Sequence, residues 1–431
     1  MNRSVMLSNL KQIATPNSKK AISLIMDEAT TFAMAKDAII GDVLVATPLT
    51  TETVTDFMKY SKFGKFMNGK LPIVTAISLG LALICGLAGA SLFGETIYGI
   101  YTAAAVLCIT ASPIIFLIES MPLNSAAKRL NPKGAMIAGK TAAERLEMAN
   151  AVVLTSNDLF PVGTVTLHSM RVLSENPIDD TIVRAASLTD AVNSPLTNIF
   201  KEIAGTNADY SLPDSDTVKY EDRLGISGWV DDELLFIGNR TLMEAHNIAV
   251  PDVKVDKKIL ERGYFPVYIA SGNKAMALII VQYSADPNVV YELRKITDAG
   301  VTLLVSNCDP NITSDMICDY LGLYSDSVRI MSNAGIHMYK NAVMPTETCS
   351  APATFKGKPI NFISVMNCAS GIKKSITLLN ILYVLALCFG LVMFAYLSFS
   401  GGAAPLSAGT IILYELGIIL FTLLIYQAFK P

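Results

Sequence analysis

Four long apolar segments stand out along the chain, separated by polar stretches. Each is long enough to cross a bilayer as a helix, which takes about 20 apolar residues. The predicted spans are Leu71–Phe93, Ile97–Ile118, Ile376–Phe399 and Ala408–Phe429. Only the last contains a charge, Glu415, and links without Lys or Arg join the spans in pairs. The pattern therefore predicts two helical hairpins.

Basic residues cluster at the opposite ends of these hairpins. They precede the first span, follow the second, precede the third and end the chain: Lys59, Lys62, Lys65, Lys70, Lys128, Arg129, Lys133, Lys373, Lys374 and Lys430. Basic loops tend to stay on the cytoplasmic side of a membrane. We therefore expect a multi-pass plasma-membrane protein with both termini and the large central loop in the cytosol, and with the lipid bilayer as a partner.

The polar region between the hairpins changes its pattern along its length. The strand-like run AVVL at residues 151–154 precedes β-rich segments, including a hairpin predicted to turn at Ser271-Gly272-Asn273. Beyond Asp286, helical and strand patterns alternate, and a last strand is expected at INFISV, residues 360–365. Such alternation is typical of a parallel sheet covered by helices. The β-rich block is therefore interpreted as an insertion into that α/β domain.

Composition supports the membrane interpretation and narrows the classes of function. Of 431 residues, 52% are hydrophobic and 16% are charged, whereas soluble domains carry roughly 25% charged residues. The net charge of −3 gives no electrostatic reason to expect a nucleic-acid partner. Seven scattered cysteines without a Cys-x-x-Cys pair, and three distant histidines, predict neither a disulfide framework nor a metal site.

Five segments, spread in order over the chain after about Ser61, carry a family resemblance. They are NPKGAMIAGKTAAERLEMANAVVL, SPLTNIFKEIAG, DDELLFIGNRTLMEAHNI, DAGVTLLVSNCDPNITSDMICDYLGL and CASGIKKSITLLNILYVLAL. Together they resemble the P-type ATPases, most closely the heavy-metal-transporting subgroup. The resemblance implies an α-helical membrane protein with four transmembrane helices in two hairpins. It also implies a cytosolic α/β haloacid-dehalogenase-like, Rossmann-type domain split by a β-rich α+β nucleotide-domain-like insertion.

This plan divides the chain into six predicted parts. Residues 1–70 are a cytosolic N-terminal segment and a candidate actuator-domain remnant. The other parts are the first transmembrane hairpin at 71–118, a phosphorylation-like domain in two pieces at 119–163 and 286–372, the nucleotide-binding-like insertion at 164–285, and the second hairpin at 373–431.

The family's phosphorylation signature, Asp-Lys-Thr-Gly-Thr-Leu-Thr, falls on the seven residues from Thr155 to Pro161, and all seven differ. Phosphoryl transfer takes an in-line carboxylate, and a threonine is a poor nucleophile without an adjacent base. Asp158 is a weak alternative nucleophile, because an Asn-Asp pair is ordinary turn chemistry and we expect it to be solvated. The Thr-Gly-Asp motif falls on a segment ending at Asp309, a second weak alternative. The resemblance therefore predicts no catalytic residue.

The nucleotide positions of the family are altered in the same way. The His-Pro pair falls on Ser194-Pro195, the Gly-x-Gly motif ends at Gly225, and a Gly-Asn pair falls on Gly238 and Asn239. ATP or ADP is the candidate ligand at these degenerate positions, and no cofactor is firmly implied. Mg²⁺ is not expected, because the late Gly-Asp-Gly-x-Asn-Asp motif that the resemblance assigns to it does not occur in this sequence.

The ion path of the family is altered too. Its Cys-Pro-Cys motif falls on Ser112-Pro113-Ile114, which keeps the proline but not the thiolates that soft metals prefer. Glu415 is an ionisable group inside a span, which is costly and usually functional. Ser112, Pro113 and Glu415 are therefore predicted to form an ion path or a partner contact.

Three functions stay open on the sequence. The first is a pseudoenzyme, a regulatory or scaffold membrane protein that neither forms a phosphoprotein nor pumps. The alternatives are a cation or proton transporter of P-type ATPase descent and a nucleotide-sensing regulator. A second membrane subunit or a homo-oligomer is a candidate partner.

Overall fold

The computed structural model describes residues 71–110, 112, 114–175, 177–205, 215–332, 335–336, 353–355, 360–401 and 408–428. The candidate actuator remnant at 1–70 lies outside the described residues. The described residues within 150–346 form one compact unit, here called the α/β unit. Those within 47–149 and 347–431 form a second, the membrane unit. Residues 119–149 thus group with the membrane helices, and the six-part division of the sequence stays a prediction.

The described helices and strands are as follows, in chain order. The helices are α1 (Leu71–Phe93), α2 (Thr96–Thr110), α3 (Ile114–Leu130), α4 (Lys140–Glu147), α5 (Ser156–Leu159), α6 (Asp179–Ala191), α7 (Thr197–Ile203), α8 (Arg240–Ala245), α9 (Val253–Leu260), α10 (Pro287–Asp298), α11 (Ser314–Leu321), α12 (Ile360–Gly401) and α13 (Ala408–Ala428). The strands are β1 (Met136–Ile137), β2 (Ala151–Thr155), β3 (Val165–Val172), β4 (Ser215–Glu221), β5 (Gly225–Val230), β6 (Glu233–Gly238), β7 (Phe265–Ser271), β8 (Lys274–Tyr283), β9 (Thr302–Ser306), β10 (Val328–Ile330) and β11 (Ala353–Thr354).

The four predicted membrane spans are confirmed as helical segments long and apolar enough to cross a bilayer. The segments of the structure that meet these criteria are Thr75–Leu92, Thr96–Lys133, Ile360–Phe394 and Gly409–Ala428, and each overlaps one predicted span. Within the second segment α2 ends at Thr110 and α3 begins at Ile114, and Ser112 between them is not helical. The chain is therefore a membrane protein with four candidate spans.

The strand predicted at residues 360–365 is wrong, since these residues form the start of α12. A short apolar run does not by itself distinguish a strand from a buried helical segment. Here the apolar pattern continues into Cys368 and Ile372, which are both fully buried along the same helix. The helical interpretation wins because the whole 42-residue segment has no break.

Glycines let α1 and α2 pack at close range. A Cβ on Gly99 would lie 2.6 Å from the carbonyl oxygen of Gly86, and one on Gly89 would lie 2.6 Å from Thr102 Oγ1. The Thr102 hydroxyl also donates to the Cys85 carbonyl at 3.3 Å. Small residues and such bonds are the usual means of association between helices in lipid. The glycines of α1 and α2 therefore explain why these two helices pack together.

Helix α4 is fixed between two longer helices of the membrane unit. Lys140 at its start forms an ion pair with Glu119 of α3 at 2.9 Å, and Glu147 at its end pairs with Lys373 of α12 at 2.6 Å. Strands β1 and β11 pair antiparallel beside it. These contacts explain why α4 belongs with the membrane helices.

The α/β unit is built on a parallel sheet of three described strands in the order β10-β9-β2. Helices α10 and α11 alternate with the strands, as the sequence predicts. Each begins at a capping side chain, since Asp286 accepts from the N–H of Asn288 and Thr313 accepts from the N–H of Met316. The predicted parallel α/β core is therefore confirmed.

The β-rich insertion forms a six-stranded antiparallel sheet in the order β3-β8-β7-β6-β5-β4. Strands β7 and β8 form the predicted hairpin, and its turn uses Gly272 at φ +55°. A buried polar group stabilises the insertion, where Asp256 accepts from Arg240 at 2.7 Å and from the hydroxyl of Tyr268 at 2.5 Å. The insertion thus has its own core and its own internal polar network.

Candidate functional site

The carboxyl ends of β2 and β9 lie side by side at one edge of the parallel sheet. The two strands are neighbours, and Thr155 pairs with Ser306 at the end of the ladder. The loops that follow, 156–160 and 307–312, therefore start at the same edge, where open α/β sheets usually bind ligands. We call this edge and its two loops the strand-end site.

Thr155 ends β2 and also caps the one-turn helix α5. Its side chain accepts a hydrogen bond from the backbone N–H of Asp158, and the Asp158 carboxylate accepts one from the N–H of Thr155 at 2.7 Å. This reciprocal capping box satisfies amides that the helix leaves free. The structure places Asp158 at the third position of α5, half-buried, with its carboxylate bonded to the backbone, so this acid holds α5 in place.

Asp309 lies on the second loop with 1% of its surface exposed. The hydroxyl of Tyr283 donates to its Oδ2 at 2.5 Å, and the N–H of Asn311 donates to its Oδ1 at 2.9 Å. Burial raises the pKa of Asp309 to about 6, although these two donors stabilise the anion. The acid is thus enclosed within the protein and bonded on both oxygens.

The residues before Asp309 complete the same loop. The side-chain amide of Asn307 donates to the carbonyls of Asp309 and Ile312, at 2.7 and 2.9 Å. The thiol of Cys308 donates to the carbonyl of Val192 at 3.7 Å. Burial, followed by the nearby Asp309, raises the pKa of Cys308 to about 12. This thiol therefore stays protonated at neutral pH and is a poor nucleophile.

The turn after α6 brings the Ser194-Pro195 pair to the strand-end site. Both residues are buried, and Ser194 Oγ accepts from the N–H of Leu196 at 3.2 Å. Directly before them, Asn193 adopts a positive φ of 53°. The side-chain amide of Asn157 donates to both the carbonyl oxygen and Oδ1 of Asn193, each at 2.7 Å. Ser194 thus lies one residue from a direct bond between the insertion and the loop after β2.

The other candidate nucleotide residues hold β5, β6 and α8 together. Gly225 and Gly238 face each other in register, and a Cβ on Gly225 would lie 2.2 Å from the carbonyl oxygen of Ile237. Asn239 caps α8, since its Oδ1 accepts from the N–H of Leu242 at 3.1 Å. Packing and capping therefore account for these residue types, and nucleotide binding by them stays a prediction.

Sequence reasoning missed three residues of the strand-end site: Asn157, Asn193 and Tyr283. The bonded pairs are 36 and 26 positions apart in the chain. No local pattern links residues at such separations, so the sequence carried no signal for these contacts.

A second group of candidate residues meets in the membrane unit, at the break between α2 and α3. Ser112 donates from its hydroxyl to Glu415 Oε2 at 2.6 Å. The hydroxyl of Tyr383 donates to the carbonyl of Thr110, the last residue of α2, at 3.2 Å. Glu415 Oε1 is buried and has no hydrogen-bond partner within the described ranges. Pro113 lies outside the described residues, so its place in an ion path or a partner contact stays a prediction.

The donor groups at the strand-end site do not fit a Mg²⁺ centre. Mg²⁺ takes near-octahedral oxygen ligands, usually one or two carboxylates together with phosphates and water. Here Asp158 is bonded to the Thr155 amide, and Asp309 is enclosed by Tyr283 and Asn311. Among the residues that the structure describes, no three His, Cys, Asp or Glu side chains are grouped to hold a metal.

Comparison with known proteins finds remote relatives. No family model matches the chain. A silver-exporting P-type ATPase of Salmonella typhimurium is 21% identical over 228 residues, which are 52% of this chain and 27% of that protein. A copper-exporting P-type ATPase of Staphylococcus epidermidis is 22% identical over 224 residues, 52% of this chain and 28% of that protein. The match thus spans little more than a quarter of these relatives' length.

Solved structures also match. A zinc-transporting PIB-type ATPase in the E2.Pi state matches 88% of this chain and 67% of its own, with 15% identity and a TM-score of 0.43. The N-domain of a copper-transporting P-type ATPase matches 28% of this chain over its whole length, with 13% identity and a TM-score of 0.22. The chain is therefore similar in sequence to heavy-metal-exporting P-type ATPases over about half of its own length.

Proposed function

We propose that this chain is a non-catalytic P-type-ATPase-like membrane protein with a regulatory or scaffold role. One observation carries the proposal: the carboxylates at the strand-end site are already used to hold the loops. By resemblance, Thr155 stands at the position of the phosphorylated aspartate. A threonine there has no neighbouring base in the loop to activate it. The site is therefore built as a structural joint between loops.

The cellular placement is part of the same proposal. The basic residues at the ends of the hairpins favour a cytosolic α/β unit and cytosolic termini in the plasma membrane. A second membrane subunit or another copy of this chain is the kind of partner that a scaffold of this type would contact through its membrane helices. Binding of ATP or ADP to the insertion stays a prediction from the sequence.

No acid-stable phosphoprotein is expected when the purified full chain is incubated with radiolabelled ATP. The same result is expected for Thr155→Asp, because the Lys, Thr and Gly that follow the aspartate in the family are still absent. Aspartate is as good an N-cap as threonine, so this variant should keep the fold of α5. A working P-type ATPase run in parallel provides the positive control.

Either of two results would contradict the proposal. A labelled band in the unaltered chain that Asp158→Asn removes would make Asp158 a nucleophile. A labelled band in Thr155→Asp alone would mean that one aspartate suffices to restore the chemistry. Thermal unfolding of each variant confirms that the assay is made on folded protein.

A second candidate function is passive movement of a proton or a hard cation through the membrane unit. It is favoured by the bonded pair of Ser112 and Glu415 at the break between α2 and α3. Interrupted helices commonly line ion sites, since their free backbone groups must find partners. The carboxylate and hydroxyl oxygens of this pair suit a proton or a hard cation better than a soft metal.

Glu415→Gln is expected to reduce proton or cation flux into proteoliposomes at least tenfold if this second function holds. The amide keeps the size of the side chain and an acceptor for Ser112, but it loses the titratable charge. Glu95→Gln, at the exposed link between α1 and α2, is the matched control and should leave flux unchanged. Flux that is equal in both variants and in the unaltered chain would rule out this path.

A further inference from the structure

The insertion contacts the loops of the strand-end site at two points, one far from its chain connections and one at its return to the parallel sheet. The first contact joins Asn157, on the loop after β2, to Asn193, on the turn after α6, through two bonds of 2.7 Å. Next to it, the thiol of Cys308 donates to the carbonyl of Val192 at 3.7 Å. Both loops of the site therefore touch the same turn of the insertion.

The second contact lies where the insertion returns to the parallel sheet. Tyr283, the last residue of β8, donates to Asp309, and its ring packs edge-on against Phe160 and Phe265 at 5.4 and 5.1 Å between ring centres. Phe160 follows α5 and Phe265 begins β7. One tyrosine thus contacts both loops of the site and a neighbouring strand of the insertion.

The two contacts use the groups that would otherwise be available to a ligand at this edge. The Asn157 amide, the Asn193 acceptors and the Asp309 carboxylate are all bonded within the protein. Asn193 is held at a positive φ, a conformation that asparagine tolerates better than most residues. In this conformation both the carbonyl oxygen and the Oδ1 of Asn193 accept from the side-chain amide of Asn157.

We propose that the Asn157–Asn193 and Tyr283–Asp309 contacts form a latch that holds the insertion closed on the strand-end site without any nucleotide. The proposal deepens the non-catalytic function and rests on it, because a latch that closes without ATP suits a protein that does not turn ATP over. Each bond contributes a modest preference for the closed arrangement, a factor of roughly ten or less. Two contacts from different loops add to this preference.

Hydrogen exchange of the full chain in detergent, read by mass spectrometry, tests the latch. Tyr283→Phe keeps the ring packing and removes only the hydroxyl, and Asn157→Ala removes the amide. The double variant is expected to raise exchange of residues 156–160, 189–197 and 307–312 by roughly 50-fold, with each single variant giving roughly tenfold or less. Adding ATP to the unaltered chain should not change exchange in these segments.

Two controls of matched chemistry separate a latch from general loosening. Tyr268→Phe also removes a buried hydroxyl from an aspartate, but its partner Asp256 lies within the insertion itself. Asn288→Ala removes an exposed asparagine from α10. Tyr268→Phe should raise exchange near α9 and β7 and leave residues 307–312 protected. Equal patterns in the two tyrosine variants, or unchanged exchange in the double latch variant, would overturn the latch.

The phosphoprotein assay, run on the same samples, keeps the two proposals apart. A labelled band together with increased exchange in the latch variants would overturn the non-catalytic function but support the latch contacts. The absence of a band together with unchanged exchange would overturn the latch alone. Both results are read on folded full chain, since the variants remove single polar groups.

Discussion

Asp309→Asn is expected to stabilise the α/β unit in a pH-dependent way. Between pH 4 and pH 7 the free energy of unfolding of the variant should rise by about 3 kcal/mol relative to that of the unaltered chain. The acid is fully buried, and burial raises its pKa to about 6 in the folded protein. In the unfolded chain an aspartate titrates at about 3.9. The fold therefore favours the protonated acid, which asparagine imitates at every pH.

The direction of the effect follows from proton linkage. Below about pH 4 both states are protonated, and Asp309 causes no loss of stability. As pH rises to about 6, the unfolded chain releases the proton first, so the free energy of unfolding falls over this range. Above about pH 6 the full loss is present. Asparagine does not titrate and therefore removes this pH dependence. Its altered hydrogen bonds with Tyr283 and Asn311 change the free energy of unfolding by the same amount at every pH.

Fluorescence of Trp229 provides the measurement, because it is the single tryptophan in the chain and lies on β5 of the insertion. Urea unfolding of the full chain in detergent is followed from about pH 4 to pH 7, and the variant's difference from the unaltered chain is plotted against pH. Asp298→Asn, an exposed acid on α10, makes the same change of charge and is the control. A difference that does not vary with pH, or that varies equally in both variants, would contradict the buried titration.

The membrane helices were predictable because the bilayer sets their length and the sequence states their apolarity directly. The hairpin at Gly272 was predictable for a similar reason, since its turn chemistry is local. The error at residues 360–365 arose because a short apolar run is too short to show whether its pattern repeats as in a strand or as in a helix. The structure shows that this run is the first part of the long helix α12. Local patterns therefore identified the elements, and failed where two elements share one pattern.

The strand-end site shows where sequence reasoning stops. The order of motifs matched Thr155 and Asp309 to catalytic positions of the family and offered Asp158 as an alternative, and the structure shows that the strands before them end at one edge. The order of motifs did not reveal that Asp158 caps α5 or that Tyr283 encloses Asp309. The Asp158 cap is local, since Thr155 and Asp158 lie three positions apart. The enclosure of Asp309, in contrast, joins residues that lie 26 positions apart in the chain. Tertiary packing, which no local period encodes, decides whether an acid is exposed or enclosed.

Gly225→Ala is expected to destabilise the insertion by about 3–5 kcal/mol, in the absence of any nucleotide. Gly225 has φ +143°, and an added Cβ would lie 2.2 Å from the carbonyl oxygen of Ile237 and 2.6 Å from the Cα of Gly238. All of these neighbours are backbone atoms, so β5 and β6 would have to separate. Backbone strain and overpacking therefore add at this position.

Gly272→Ala separates these two causes. Gly272 also has a positive φ, +55°, but nothing lies within 4 Å of an added Cβ in the hairpin turn. Its replacement should cost only the backbone strain, about 1–2 kcal/mol. Trp229 fluorescence in urea measures both variants. Equal losses of stability in the two variants would mean that the close approach of β5 and β6 does not explain the glycine at position 225.

A different result would also be informative. If Gly225→Ala kept full stability but lost affinity for ATP, Gly225 would be a ligand-binding residue, and nucleotide binding rather than packing would explain the glycine.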